Sequence, residues 1–159
     1  MFAAEALDLV QIGVRRGAGA EFASALEGLG LTPPQPGEVR SAGALELLWI
    51  QPNTYLLVAP RGTMPGLELL APFAALVDQS DGRSAFLLGG PSARDVLSKG
   101  CRLDFHPRAF GLARVAASGL AHVNAVIQQT SEVPQFRIIV FSSFAQHMAE
   151  WLTHATEAA

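Results

Sequence analysis

Glycine and proline cut this chain into short apolar runs. With 15 glycines and 10 prolines in 159 residues, no apolar stretch approaches the roughly 18–20 residues that span a bilayer, and each strand or helix has to be short. Leu7–Val14 alternates apolar and polar residues and predicts a strand. Gly17 and Gly19 lead into Ala20–Leu29, where Phe22, Ala25, Leu26 and Leu29 recur at i, i+3, i+4 and i+7. That is the spacing of an amphipathic helix, and Gly30 is placed to end it. Thr32–Gly37 contains Pro33, Pro34 and Pro36, which fix φ and remove donors, so it reads as a loop.

Farther along, Ala44–Ile50 and Thr54–Ala59 predict an antiparallel pair around Gln51-Pro52-Asn53. Leu67–Leu76 has helical spacing, with Pro72 as the residue that would kink it. Ser84–Leu88 predicts a strand and Pro91–Lys99 a helix, started by proline and ended by Gly100. Cys101–Gly111 reads as a loop. Leu112–Ser118, Ala121–Gln129 and Gln135–Phe141 predict three strands. In the middle one Ala121, Val123, Ala125 and Ile127 share one face, and His122, Asn124, Val126 and Gln128 the other. Ser143-Phe-Ala-Gln146 resembles a capping box opening a last helix, whose apolar stripe is Phe144, Met148, Trp151, Leu152 and Ala155. The pattern predicts an α+β fold, with helices packed on mostly antiparallel sheet. It predicts a single domain over 1–159, built from two halves of similar outline, roughly 1–76 and 77–159.

Composition narrows the function. Half of the residues are hydrophobic and 16% are charged, which excludes a disordered chain. A net charge of −3 argues against a nucleic-acid partner, whose footprint is a basic patch. The single cysteine, Cys101, excludes an internal disulfide and a multi-cysteine zinc site. Met1–Leu7 lacks the basic start of a secretory leader and contains Glu5, so the expected location is the cytoplasm, away from membranes. A mean hydropathy of +0.29 is high for a soluble surface and points to apolar area covered by a partner.

The candidate chemistry is sparse. Arg16-Gly17-Ala18-Gly19-Ala20 could bind an anion at a helix start but lacks the three glycines of a dinucleotide fingerprint, so a flexible turn is the better reading. Gly89-Gly90-Pro91-Ser92 has no lysine at the spacing of a phosphate-binding loop. Cys101, Asp104, His106 and Arg108 share one segment, without the further ligands or orienting group that a metal or nucleophile site needs, so His106-Pro107 is read as fixing a loop, which could present Asp104, His106 and Arg108 to a partner. His147 and His154 lie seven apart on the solvated side of the last helix, and His122 lies on a strand. Trp49 and Tyr55 flank Pro52 and could stack a flat ligand such as a pterin, or serve as core. No catalytic residue, resident cofactor or metal ligand is assigned.

The segment Val77-Asp-Gln-Ser-Asp-Gly-Arg83, followed by Leu87-Leu-Gly-Gly-Pro-Ser-Ala-Arg94 and Asp104-Phe-His-Pro-Arg-Ala-Phe110, resembles the gamma subunit family of heterotetrameric sarcosine oxidase. Supporting matches are Arg16-Gly-Ala-Gly-Ala-Glu-Phe, Leu31-Thr-Pro-Pro, Trp49-Ile-Gln-Pro-Asn-Thr-Tyr-Leu-Leu57, Ser142-Ser-Phe-Ala and Trp151-Leu152. The resemblance implies a fold like the folate-binding region of the glycine-cleavage T-protein and the amino domain of the tRNA-modifying GTPase. It implies a non-catalytic subunit of an oxidoreductase that demethylates sarcosine in one-carbon metabolism. The alpha, beta and delta subunits are its partners, and FAD, FMN, NAD and tetrahydrofolate belong to those partners.

Two departures stand out. Asn53-Thr54-Tyr55 replaces a more usual Asp-Glu-Trp, and Gly89-Gly90 stands where Ser-Gly is common, which leaves open a complex acting on another secondary or tertiary amine. The expected contact surface is Arg94, Cys101, Asp104, His106, Arg108 and Phe110. The rival reading is a folate- or pterin-binding module related to aminomethyltransferases, with Asp81 or Asp104 holding the pterin and Trp49 and Tyr55 stacking on it. A third reading is an isolated homo-oligomeric scaffold that has lost the complex, and a homo-oligomer is a further expectation for the chain expressed alone.

Overall fold

The computed structural model describes residues 1–158. In chain order its elements are β1 (Phe2–Glu5), β2 (Leu7–Val14), α1 (Gly19–Glu27), β3 (Val39–Ala42), β4 (Leu45–Gln51), β5 (Thr54–Pro60), β6 (Ala74–Asp78), β7 (Arg83–Gly89), α2 (Ala93–Ser98), β8 (Val115–Leu120), β9 (Val123–Ser131), β10 (Gln135–Phe141) and α3 (Ala145–Glu157). All strand pairs are antiparallel, in two five-stranded sheets ordered β3-β4-β5-β2-β6 and β1-β7-β10-β9-β8. The α+β class read from the sequence is the one observed.

The chain divides into two compact units. One is Ala6–Ser80; the other joins Met1–Glu5 to the residues from Asp81 onward. In the first unit the alternation of Leu7–Val14 sends Val10 and Ile12 into a core with Phe22 and Leu26 of α1 and Leu47 and Leu57 of the hairpin. Pro52 and Asn53 make the β4–β5 turn, and Asn53 takes φ 61°, a left-handed value that asparagine tolerates. Leu67–Leu76 is not a helix. Leu70 and Phe73 donate to carbonyls three residues back, giving two tight turns, and Ala74–Asp78 then pairs with β2. Pro72 has no N–H for a helical ladder and disfavours helical φ/ψ at the residue before it, so the chain turns where the apolar spacing alone predicts a helix.

In the second unit β1 adds to β7, from Phe2↔Leu88 to Glu5↔Ala85. Glu5 reaches Arg137 of β10 with a two-pronged ion pair, Nε–Oε1 2.7 Å and Nη2–Oε2 2.9 Å, while Nη1 donates to Gln128 Oε1 at 2.9 Å. Strands β8 and β9 begin later than their sequence spacing predicts. The turn between them is Ala121-His122, at φ 50° and 69°, so His122 lies in a turn and not on a strand. Burial of Leu120 and a bond from Ala121 N–H to the Gly100 carbonyl (3.0 Å) hold the turn there. Val126 and Gln128 are as buried as Ala125 and Ile127, so β9 is covered on both faces.

The expected capping box does not form. Ser142–Phe144 makes a 3-10 turn, no side chain caps Phe144, and Gln146 turns to Glu150 Oε1. Met148, Leu152 and Ala155 are buried against the sheet, whereas Phe144 is 42% exposed. Among the described residues no helix is long and apolar enough to cross a membrane.

Candidate functional site

The loop after α2 is shaped by one arginine. Arg94 Nη1 donates to the carbonyl of Phe105 and, at 3.0 Å, to that of Phe110. Its Nη2 donates to Gln129 Oε1 at 3.2 Å, and the guanidinium lies 5.3 Å from the centre of the Phe136 ring. Phe105, Phe110 and Phe136 form a three-ring cluster with centroids 5.4–6.1 Å apart. Phe105 and Phe110 therefore anchor the two ends of a short turn, and Arg94 binds both ends from inside.

Between the anchors the side chains satisfy the backbone locally. Asp104 Oδ1 accepts the His106 N–H at 2.9 Å, an aspartate turn of the kind that competes with regular structure. The Ala109 and Phe110 N–H groups both donate to the His106 carbonyl. The Arg108 N–H donates to His106 Nδ1 at 3.1 Å. That nitrogen must then carry a lone pair, which places the ring proton on Nε2 and points an N–H donor away from the backbone. Asp104, His106 and Arg108 are exposed. The turn presents a carboxylate, an imidazole N–H and a guanidinium on a fixed backbone. A groove of about 360 Å³ runs beside it, bordered by Asp95, Leu103 and Pro107.

Two of the residues expected on this surface are buried beneath it, and a third, Arg94, lines the groove while facing inward. Cys101 is 8% exposed and its thiol reaches Ser118 Oγ at 3.7 Å. Phe110 is 5% exposed. Both belong to the core beneath the loop, because an apolar side chain next to a sheet is drawn under the backbone it follows. Arg94 is half-buried and spends its donors inward. The sequence pattern missed Gln129 and Phe136, the partners of Arg94. Their signal is only their place on neighbouring strands, paired Phe136↔Gln129.

The residues of the pterin reading are divided between the two units. Trp49 and Tyr55 are cross-strand partners in the first unit, but the Tyr55 ring stacks on Phe22 (5.8 Å, 15°), and burial pushes its hydroxyl pKa above 10.0. Asp81 and Asp104 belong to the other unit; the Asp81 carbonyl accepts the Ser142 hydroxyl at 2.9 Å, and Asp104 closes its own turn. Among the described residues no three His, Cys, Asp or Glu side chains are grouped to hold a metal.

The family model for the sarcosine oxidase gamma subunit matches residues 16–158. The chain belongs to the sarcosine oxidase gamma subunit family. Among gamma subunits it is 39% identical to that of an Arthrobacter species and 36% to that of Corynebacterium sp. strain P-1, each over 91% of this chain and 74% of the relative. The heterotetrameric sarcosine oxidase of Corynebacterium sp. U-96 contains a chain that superposes with a TM-score of 0.86 at 28% identity, covering 99% of this chain and 84% of that one. The glycine cleavage aminomethyltransferase T of Bartonella henselae shares the fold, with a TM-score of 0.67 at 17% identity over 95% of this chain and 44% of that one. Membership of the gamma family favours the subunit reading over a stand-alone pterin module. The Asp104–Phe110 turn lies inside the matched region, with its clamp Arg94.

Proposed function

We propose that this gamma-family chain is the non-catalytic subunit of a heterotetrameric, sarcosine-oxidase-type flavoenzyme. It packs chiefly on the alpha subunit of a cytoplasmic complex with alpha, beta and delta partners. FAD, FMN, NAD and tetrahydrofolate are held by those partners. Its own glycine turn, Arg16-Gly17-Ala18-Gly19, has two glycines where a dinucleotide site needs three, so it does not fit that cofactor. The chain serves as one domain whose contribution is assembly.

The observation that carries this reading is the Asp104–Phe110 turn. Its backbone is tied down by the inward-facing Arg94, and its charged side chains point outward. A preorganised surface loses less conformational freedom on docking than a mobile one. Obligate interfaces commonly bury about 2,000 Å² or more, so the turn is read as one part of a larger contact.

The test is co-expression with the partner subunits and capture through a tag on this chain. The double variant Asp104→Lys/Arg108→Glu is expected to reduce recovery of yellow, amine-oxidising complex at least tenfold. Asp104→Asn, which keeps an oxygen for the His106 N–H, controls for loss of the turn itself. Unchanged assembly of the charge-reversed chain would sink the proposal.

A further inference from the structure

A second cleft, of about 390 Å³, opens where α2 ends, and its lining includes Lys99, Gly100, Arg102, His122, His147 and Trp151. That volume lies in the range of roughly 300–1,000 Å³ usual for small-molecule sites. The lining has a lysine, an arginine and two histidines but no carboxylate, in a chain whose net charge is −3.

The cleft is built by close contacts. Trp151 of α3 lies so near Gly100 that a Cβ there would sit 2.5 Å from the ring carbon Cζ2. Glycine lets the indole close against the chain, leaving a half-buried aromatic wall. Lys99 Nζ gives one proton to the Ala155 carbonyl at 2.8 Å, which holds the ammonium in place with two donors left. His147 Nε2 meets the Ala121 carbonyl at 2.9 Å and so donates to it, tying α3 to the β8–β9 turn. His122 follows in that turn at φ 69°, directly after Ala121 at φ 50°. Two successive non-glycine residues in left-handed backbone are unusual in such hairpins, where Asn-Gly is preferred, and retained strain of this kind concentrates at ligand sites. The Arg102 guanidinium is exposed and has no partner among the described residues.

We infer that this cleft binds a small oxyanion, a carboxylate or a phosphate ester, whose apolar body lies against Trp151. Arg102 and Lys99 supply the positive charge, and His122 supplies a further N–H donor. The inference is independent of the subunit role.

The experiment follows the Trp151 indole N–H by two-dimensional NMR of the full chain, assigned with Trp49→Phe, during titration with benzoate, inorganic phosphate or benzyl alcohol. Benzoate is expected to give a saturating shift of the Trp151 signal while Trp49 stays in place, and the neutral benzyl alcohol none. Saturation by phosphate as well would assign a phosphate ester to the site; saturation by benzoate alone would assign a carboxylate. Arg102→Ala and His122→Ala are each expected to weaken binding fivefold or more, with the remaining spectrum unchanged as proof of folding. The inference is overturned by no saturation with either anion, by equal shifts with benzyl alcohol, or by full affinity in the Arg102→Ala/His122→Ala double variant. Loss of subunit assembly in that double variant without any anion binding by the wild type would overturn it too, by assigning the cleft to an acidic partner residue.

Discussion

Arg94 and Arg137 each spend several donors inside the second unit, and each makes a specific demand on substitution. Replacing Arg94 with alanine removes hydrogen bonds to two carbonyls and to Gln129 Oε1. Bonds from charged donors are worth about 1.5–3 kcal/mol, so Arg94→Ala is expected to cost about 2–3 kcal/mol in urea denaturation. Arg94→Lys should recover little, because an ammonium cannot reproduce a planar fork with fixed donor directions. Glu5→Gln removes the carboxylate that pairs a nearly buried guanidinium and is expected to cost about 3 kcal/mol by the same measurement. Tyr55 supplies a pH dependence. Burial raises its pKa above 10.0, so the unfolded state ionises first. Its contribution is complete below pH 10.0 and is lost as pH rises through the folded value. Melting temperatures above pH 10 should therefore fall more steeply for the native chain than for Tyr55→Phe.

At the scale of elements, the β8–β9 turn and the end of α2 are adjusted to one another. The turn's two left-handed residues are alanine and histidine, each costing about 1–2 kcal/mol relative to a right-handed backbone. His122→Gly is expected to stabilise the hairpin by about 1 kcal/mol, measured by denaturant midpoint, since glycine takes positive φ without a Cβ penalty. Gly100→Ala should destabilise by about 1–3 kcal/mol, because Trp151 must move to admit the methyl group. The Leu67–Leu76 segment shows the opposite balance. Its spacing suits a helix, but Pro72 removes a ladder donor, and pairing of Ala74–Asp78 with β2 satisfies the backbone instead. Gln135–Phe141 is legible to the residue, because its β-branched and aromatic residues lie between turn signals. β1 and β3 are not, since each has four residues, too few for a period to register.

For the whole molecule, chain order and compact units do not coincide. Residues Met1–Glu5 complete the unit that otherwise starts at Asp81, by adding a strand to β7. A fragment beginning at Asp81 would leave β7 as an open edge and Arg137 without Glu5. It is expected to aggregate, and a linker carrying residues 1–6 should restore its solubility, read by gel filtration. The rows of exposed polar groups on an unpaired strand are what make such an edge associate.

The sequence by itself determined the strand-rich α+β class, the location of most turns and, through the Asp104–Phe110 motif and its neighbours, the family. These are local properties: period, glycine and proline chemistry, and an aspartate two residues before the N–H that it accepts. Only the tertiary structure decided which members of that motif face outward. Cys101, Asp104, His106, Arg108 and Phe110 are equally plausible surface residues in one dimension. Their sorting depends on Gln129 and Phe136, which come from strands farther along the chain and receive Arg94 from beneath. The basic cleft has the same origin, since Lys99, His122 and Trp151 meet only when α2, the β8–β9 turn and α3 converge. Burial and charge placement are properties of such long-range neighbours, and no window of sequence contains them.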